Sequence, residues 1–115
     1  MHELSVAMSI LDIASNEGER QGGGRVAAIH LKLGPLSGVA KESLRSAYQL
    51  AREASALSAA ELVIEDAPLV VACLGCRARR TLPSPQELRC PVCGTPTPDV
   101  IHGREMQLVA LEIES

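Results

Sequence analysis

The sequence predicts an α+β fold: a small three-stranded sheet with two helices, interrupted by an inserted zinc-ribbon-like module. Three observations carry this expectation. Two segments repeat apolar residues at helical spacing, and three others alternate as half-buried strands do. All four cysteines fall between the second and third alternating segments, as Cys73-Leu74-Gly75-Cys76 and Cys90-Pro91-Val92-Cys93.

The first helix is expected from Leu4 to about residue 17, with Leu4, Ala7, Met8, Leu11 and Ala14 forming one apolar stripe. On that reading Met8 is a packing residue. Asn16-Glu17-Gly18 ends the helix, and Gln21 with Gly22, Gly23 and Gly24 forms a loop. A strand follows over Val26–Leu33, with Ile29, Leu31 and Leu33 on one side and Ala28, His30 and Lys32 on the other. Gly34-Pro35-Leu36-Ser37-Gly38 is a loop by its turn residues. The second helix spans Lys41–Glu53 and buries Leu44, Ala47, Tyr48 and Ala51. Alternation returns over Glu61–Asp66, so strand, helix and strand suggest a crossover with the helix covering one sheet face. Gln107–Glu114 alternates again, with Val109, Leu111 and Ile113 on one side. That strand finds no partner in the cysteine stretch and is expected to rejoin the first sheet. Residues 1–68 and 104–115 therefore read as one discontinuous α/β domain, and 69–103 as the inserted module.

Composition narrows the function. With 46% hydrophobic residues in 115, the chain can bury a core, but it has no Phe or Trp and Tyr48 is its only aromatic residue. A net charge of -3 and the lack of stacking side chains argue against nucleic-acid binding. No run reaches transmembrane length, and Met1-His2-Glu3 does not open a signal peptide. A reducing, cytoplasmic setting is expected, where paired cysteines bind metal more readily than they form disulfides. No nucleophile, base and oxyanion site assemble. Gly22-Gly23-Gly24 lacks the following lysine of a phosphate-binding loop, so the chain does not read as an enzyme.

A two-residue gap lets both thiolates of a pair face one ion, and two pairs supply the tetrahedral four-sulfur shell that zinc prefers. Thirteen residues separate the pairs, enough for a hairpin. Gly94 gives the second knuckle the backbone freedom to turn amides toward sulfur. Metal binding would supply on the order of 10 kcal/mol to a stretch too poor in large apolar residues to fold by burial alone. Arg77, Arg79 and Arg80 read as a solvated hairpin face, or alternatively as a docking patch for an acidic partner.

At the front of the chain, a terminal amine, the His2 amide and the His2 imidazole can close two chelate rings on nickel(II) or copper(II), with Glu3 adding a further donor. By this chemistry alone His2 stays between a ligand and an unengaged terminal residue. His30, on the polar side of its strand, reads as a surface or packing residue.

Several stretches together resemble the HypA/HybF family of hydrogenase maturation proteins. They are Met1-His2-Glu3-Leu4-Ser5, Leu33-Gly34-Pro35-Leu36-Ser37-Gly38-Val39, the two cysteine knuckles, and His102-Gly103-Arg104-Glu105-Met106-Gln107-Leu108. They occur in the family's order over essentially the whole chain. The resemblance implies a nickel metallochaperone that helps insert nickel into the large subunit of nickel-iron hydrogenase and, in some organisms, serves urease. It implies nickel(II) as transient cargo on His2 with Glu3, and a structural zinc(II) on Cys73, Cys76, Cys90 and Cys93. The partners it implies are a HypB-type GTPase, the hydrogenase large subunit and urease maturation proteins. Two positions depart from the family pattern. Ala40 stands where many members carry an acidic residue, so the nickel shell is expected to be completed without that loop. His102 stands where a non-histidine is usual, and reads as an exposed loop residue.

The competing readings are a zinc-ribbon module for protein or nucleic-acid interaction without nickel, and a rubredoxin-like iron electron carrier. Thiol redox catalysis is a third, but it needs one reactive pair of cysteines rather than four sulfurs in a closed shell.

Overall fold

The computed structural model describes residues 3–114. In chain order the elements are α1 (Glu3–Arg20), β1 (Arg25–Leu33), α2 (Lys41–Glu53), β2 (Glu61–Asp66), β3 (Leu69–Cys73), β4 (Ala78–Leu82), β5 (Val100–His102) and β6 (Met106–Glu114). They form two three-stranded sheets, β2-β1-β6 and β4-β3-β5. The α+β class and the return of the last strand to the first sheet are as the sequence predicts. The chain divides into two compact units. The first holds α1, α2 and most of β1, β2 and β6, and the second holds Lys32–Gly38 and Asp66–Met106.

In the first unit α1 and α2 pack together and share one core with the sheet. Ile29 and Leu31 of β1, with Leu44 and Tyr48 of α2, are all but fully buried. Side chains of this size stabilise by about 1.5–3 kcal/mol each on burial. The α1 stripe is rotated from the one expected: Val6, Ala7, Ile10, Leu11, Ala14 and Gly18 face the core. Leu4 is 42% exposed and Met8 56%, so Met8 is not a packing residue. Helical spacing alone permits two neighbouring stripes here, and the tertiary core takes β-branched Val6 and Ile10 inward in place of Leu4 and Met8. The helix also outruns Gly18, because that residue lies against β1, where an added Cβ would sit 3.1 Å from Val26 Cγ2.

Tyr48 spans the end of this core. Its hydroxyl donates to the Ala60 carbonyl at 2.8 Å, and Arg52 Nη1 donates to the same oxygen at 3.0 Å. Burial pushes the phenol above its ordinary pKa, with the Arg52 cation pulling it partly back. In β6, Leu108, Leu111 and Ile113 are half-buried, while Val109 is 46% exposed. The expected Val109–Leu111–Ile113 face fails at its first member. A spacing of three between Leu108 and Leu111 cannot stay on one face of a regular strand.

The second unit has a small core of its own, Leu69, Val71 and Leu82, with Leu36, Leu88 and Val100 packed against it. Leu36 reaches it because Gly34 N–H donates to the Glu105 carbonyl at 2.8 Å and Leu36 N–H to the Gly103 carbonyl at 2.7 Å. Backbone meets backbone here: a Cβ at Gly34 would lie 2.2 Å from the Gly103 oxygen, which only glycine avoids. The Glu105 carboxylate accepts the Gly103 N–H, which holds its pKa below the usual carboxylate range. β3 and β4 form a hairpin around the first knuckle, not within the segment between the knuckles as expected, in the register Leu69↔Leu82, Val71↔Arg80, Cys73↔Ala78.

Candidate metal centre

The first knuckle is the turn of the β3–β4 hairpin. β3 delivers Cys73 at its buried end, and the turn carries Cys76 back beneath it. Cys76 N–H donates to Cys73 Sγ at 3.3 Å. Arg77, the residue after this knuckle, has φ 54°, and Gly94, after the second, has φ 75°. Both turns thus end in the left-handed region, once with glycine and once with an arginine that must bear the strain. The second knuckle is closed by Cys90 N–H to the Thr95 carbonyl and by Gly94 N–H to the Cys90 carbonyl, each at 2.9 Å. Val92 N–H donates to Cys90 Sγ at 3.4 Å. Cys93 Sγ and Thr95 Oγ1 lie 3.1 Å apart, and with a thiolate the hydroxyl is the donor.

The four sulfurs converge. Cys73 and Cys93 Sγ are 3.5 Å apart, Cys76 and Cys90 Sγ 3.8 Å, and all four lie within 4.8 Å of one another. A tetrahedral ion with metal–sulfur bonds of about 2.3 Å has sulfur–sulfur edges of about 3.8 Å, so the set fits such an ion. The cysteines are free, which sets aside the disulfide reading. Among the described residues, no other group of three or more histidine, cysteine, aspartate or glutamate side chains converges in this way.

The sulfurs are not equivalent. The Cys76 amide pulls the Cys73 thiol down, but burial and the three neighbouring sulfurs outweigh it and push Cys73 up to about 11. Burial acts upward on Cys90 as well. There the amides of Cys93 and Val92, with Cys73 and Arg80, win and bring it down to about 6. The Thr95 hydroxyl and amide lower Cys93. One thiol is thus harder to ionise and two others easier, an asymmetry that a divalent cation would remove by displacing protons.

Three residues at this centre escaped the sequence reading. Gly75 lets the knuckles approach: a Cβ there would meet Thr95 Oγ1 at 2.9 Å and Cys93 Sγ at 3.4 Å. Thr95 supplies the hydroxyl to sulfur. Arg80 was grouped with a solvated face, but only Arg77 and Arg79 are exposed; Arg80 is half-buried, and the Cys76 and Cys90 sulfurs favour its charged form and raise its pKa. No local pattern marks it, because its inward side depends on the hairpin register.

Among the described residues, the remaining predicted positions are not part of the converging group. Glu3 opens α1 and is half-buried, while His2 lies outside the described residues, as does Met1. Ala40 is the N-cap of α2 and makes no side-chain cap, so it offers no ligand atom. His30 shares a 3.0 Å hydrogen bond with Glu112 on β6, and exposed His102 lies 3.5 Å from Glu105.

The fold and the four-sulfur site define a small α+β metal-binding protein. The model of a family described as "Hydrogenase/urease nickel incorporation, metallochaperone, hypA" matches residues 1–113. The chain belongs to that family, whose members are maturation factors and not enzymes. It is 46% identical over 112 residues to the hydrogenase maturation factor HypA of Chloroflexus aurantiacus, covering 97% of this chain and 98% of the relative. It is 40% identical over 114 residues to the HypA of Roseiflexus sp., covering 99% and 93%. The solution structure of the Ni metallochaperone HypA from Helicobacter pylori shares the fold, with TM-score 0.69, 24% identity and coverage of 98% and 97%.

Proposed function

We propose that this protein is a cytoplasmic nickel metallochaperone for nickel-iron hydrogenase maturation, with a structural zinc at the four cysteines. The observation that carries the reading is family membership across residues 1–113, a span that includes His2 and both knuckles. In this reading, residues 1–68 and 104–115 form the nickel-binding domain and 69–103 the zinc module. Cys73, Cys76, Cys90 and Cys93 hold zinc, which supplies the charge and bonds that order the knuckles. That no helix among the described residues could cross a membrane accords with the cytoplasmic assignment.

Nickel is bound at His2 with Glu3. The start of α1 at Glu3 supports this, because the first N–H groups of a helix have no intrahelical acceptor. Amides there are uncommitted, and an amide nitrogen that loses its proton is a strong donor for nickel(II). The Glu3 carboxylate offsets the positive helix end that would otherwise repel a cation. A nitrogen-rich site of this kind can lose its ion to a better-shelled client. The client is the hydrogenase large subunit, with urease as a further one in some settings, and a HypB-type GTPase is the partner in transfer.

Metal analysis of untagged protein tests the reading. One zinc that resists mild chelation and one removable nickel per chain are expected. His2→Ala should lose nickel and keep zinc, and an N-terminal extension should weaken nickel binding markedly while a C-terminal one does not. Unchanged nickel stoichiometry in His2→Ala would place the site elsewhere.

A further inference from the structure

The metal centre contains a cation as well as four sulfurs. β3 buries Leu69, Val71 and Cys73, and their antiparallel partners are Leu82, Arg80 and Ala78. Directly opposed residues project to the same face, so Arg80 points to the inward side, one alternate position from Cys73's partner. An inward cation beside Val71 and Leu82 is costly unless an opposite charge meets it. Its Nε is buried with no hydrogen-bond partner. The opposite charge available to the guanidinium is sulfur: the converging four-sulfur group follows from Cys73 on the same face, and Cys76 and Cys90 raise the Arg80 pKa. Its neighbours Arg77 and Arg79 stand in solvent.

We propose that Arg80 is a built-in counter-charge of the metal centre, bridging both knuckles and holding the ion against release. The inference rests on the reading of the cysteines as a zinc site. Four thiolates around a divalent ion carry a net charge of about minus two, and one guanidinium halves it. Arginine suits the task because its planar fork can reach one sulfur from each knuckle while its charge never titrates away. Lysine keeps the charge but loses the fork. Arg80 is thus a positioning residue, acting on the ion through the sulfurs.

The test compares wild type, Arg80→Met and Arg80→Lys as full chains. Methionine fills similar volume against Val71 and Leu82 without charge. Zinc transfer to a chromophoric chelator is expected to be about tenfold faster in Arg80→Met and within about threefold of wild type in Arg80→Lys. With cobalt(II) in place of zinc, the sulfur-to-metal charge-transfer band should move to longer wavelength in Arg80→Met and less so in Arg80→Lys. Wild-type rates and bands in Arg80→Met overturn the proposal, as does Arg80→Lys behaving as badly as Arg80→Met, which would make the role one of shape. If Arg80→Met cannot be loaded, loading of Arg80→Lys supports the proposal and its failure overturns it. Zinc content of the wild type, measured alongside, separates the layers: a wild type without zinc removes both readings, whereas one zinc with an indifferent Arg80 removes only this one.

Discussion

Tyr48→Phe is a stringent test of how the core of the first unit is held. The hydroxyl makes one bond, to the Ala60 carbonyl at 2.8 Å, in a site with no solvent exposure. Phenylalanine fills the same volume, so the cavity penalty of about 3–5 kcal/mol for aromatic-to-alanine changes does not arise. The Ala60 oxygen keeps Arg52 Nη1 at 3.0 Å, so no buried acceptor is orphaned. What remains is one neutral hydrogen bond, about 1 kcal/mol. Arg52→Leu in the Tyr48→Phe background removes the second donor and should cost about 2 kcal/mol more, exceeding the sum of the singles. Urea unfolding should be followed by far-ultraviolet circular dichroism, because both helices lie in this unit and the variant leaves no tyrosine to fluoresce. A single-variant loss above about 3 kcal/mol, or strict additivity in the double, would refute the shared-acceptor account.

Three further outcomes can be measured elsewhere in the fold. Ala40→Asp should stabilise by about 1 kcal/mol, since the N-cap of α2 has extended backbone and no side-chain cap, and thermal unfolding would detect it. Removing zinc, or Cys73→Ser, should disorder 69–103 while the helical signal survives, because the three fully buried apolar side chains there give about 1.5–3 kcal/mol each. Ordering backbone costs about 1–2 kcal/mol per residue, so that core cannot hold the segment alone. Native amide dispersion in zinc-free protein would refute this. Zinc affinity should also fall with pH: Cys73, pushed up to about 11, must shed a proton on loading, and below about 6 Cys90 becomes a competitor for protons too. A pH-independent affinity between these values would contradict the assignment of the sulfurs.

The elements with strong period were legible in the sequence. α2 and β2 run over the expected residues, because their apolar positions allow only one face. α1 was legible as a helix but not in its rotation, since two adjacent stripes compete and only the tertiary core decides between them. The cysteine cluster was legible because spacing encodes ligand geometry directly. Arg80 and Thr95 were not, since their role depends on a hairpin register and a knuckle closure that no local pattern states. The loop 34–38 was read correctly as a loop, yet its attachment at Glu105 and Gly103 is a long-range backbone pairing with no compositional trace.

The order of the strands has a consequence for the nascent chain. β1 is the middle strand of its sheet, and β6, which follows every other element, is one of its two neighbours. While the protein is being synthesised, all four cysteines therefore leave the ribosome before β1 can gain its second partner. The loop that β6 must close runs from Leu33 past both knuckles to Met106. Gathering Cys73 and Cys93 on one ion ties off the stretch between them, and a shorter effective loop closes at lower entropic cost. Early capture of metal would thus speed completion of a sheet that contains none of the metal's ligands.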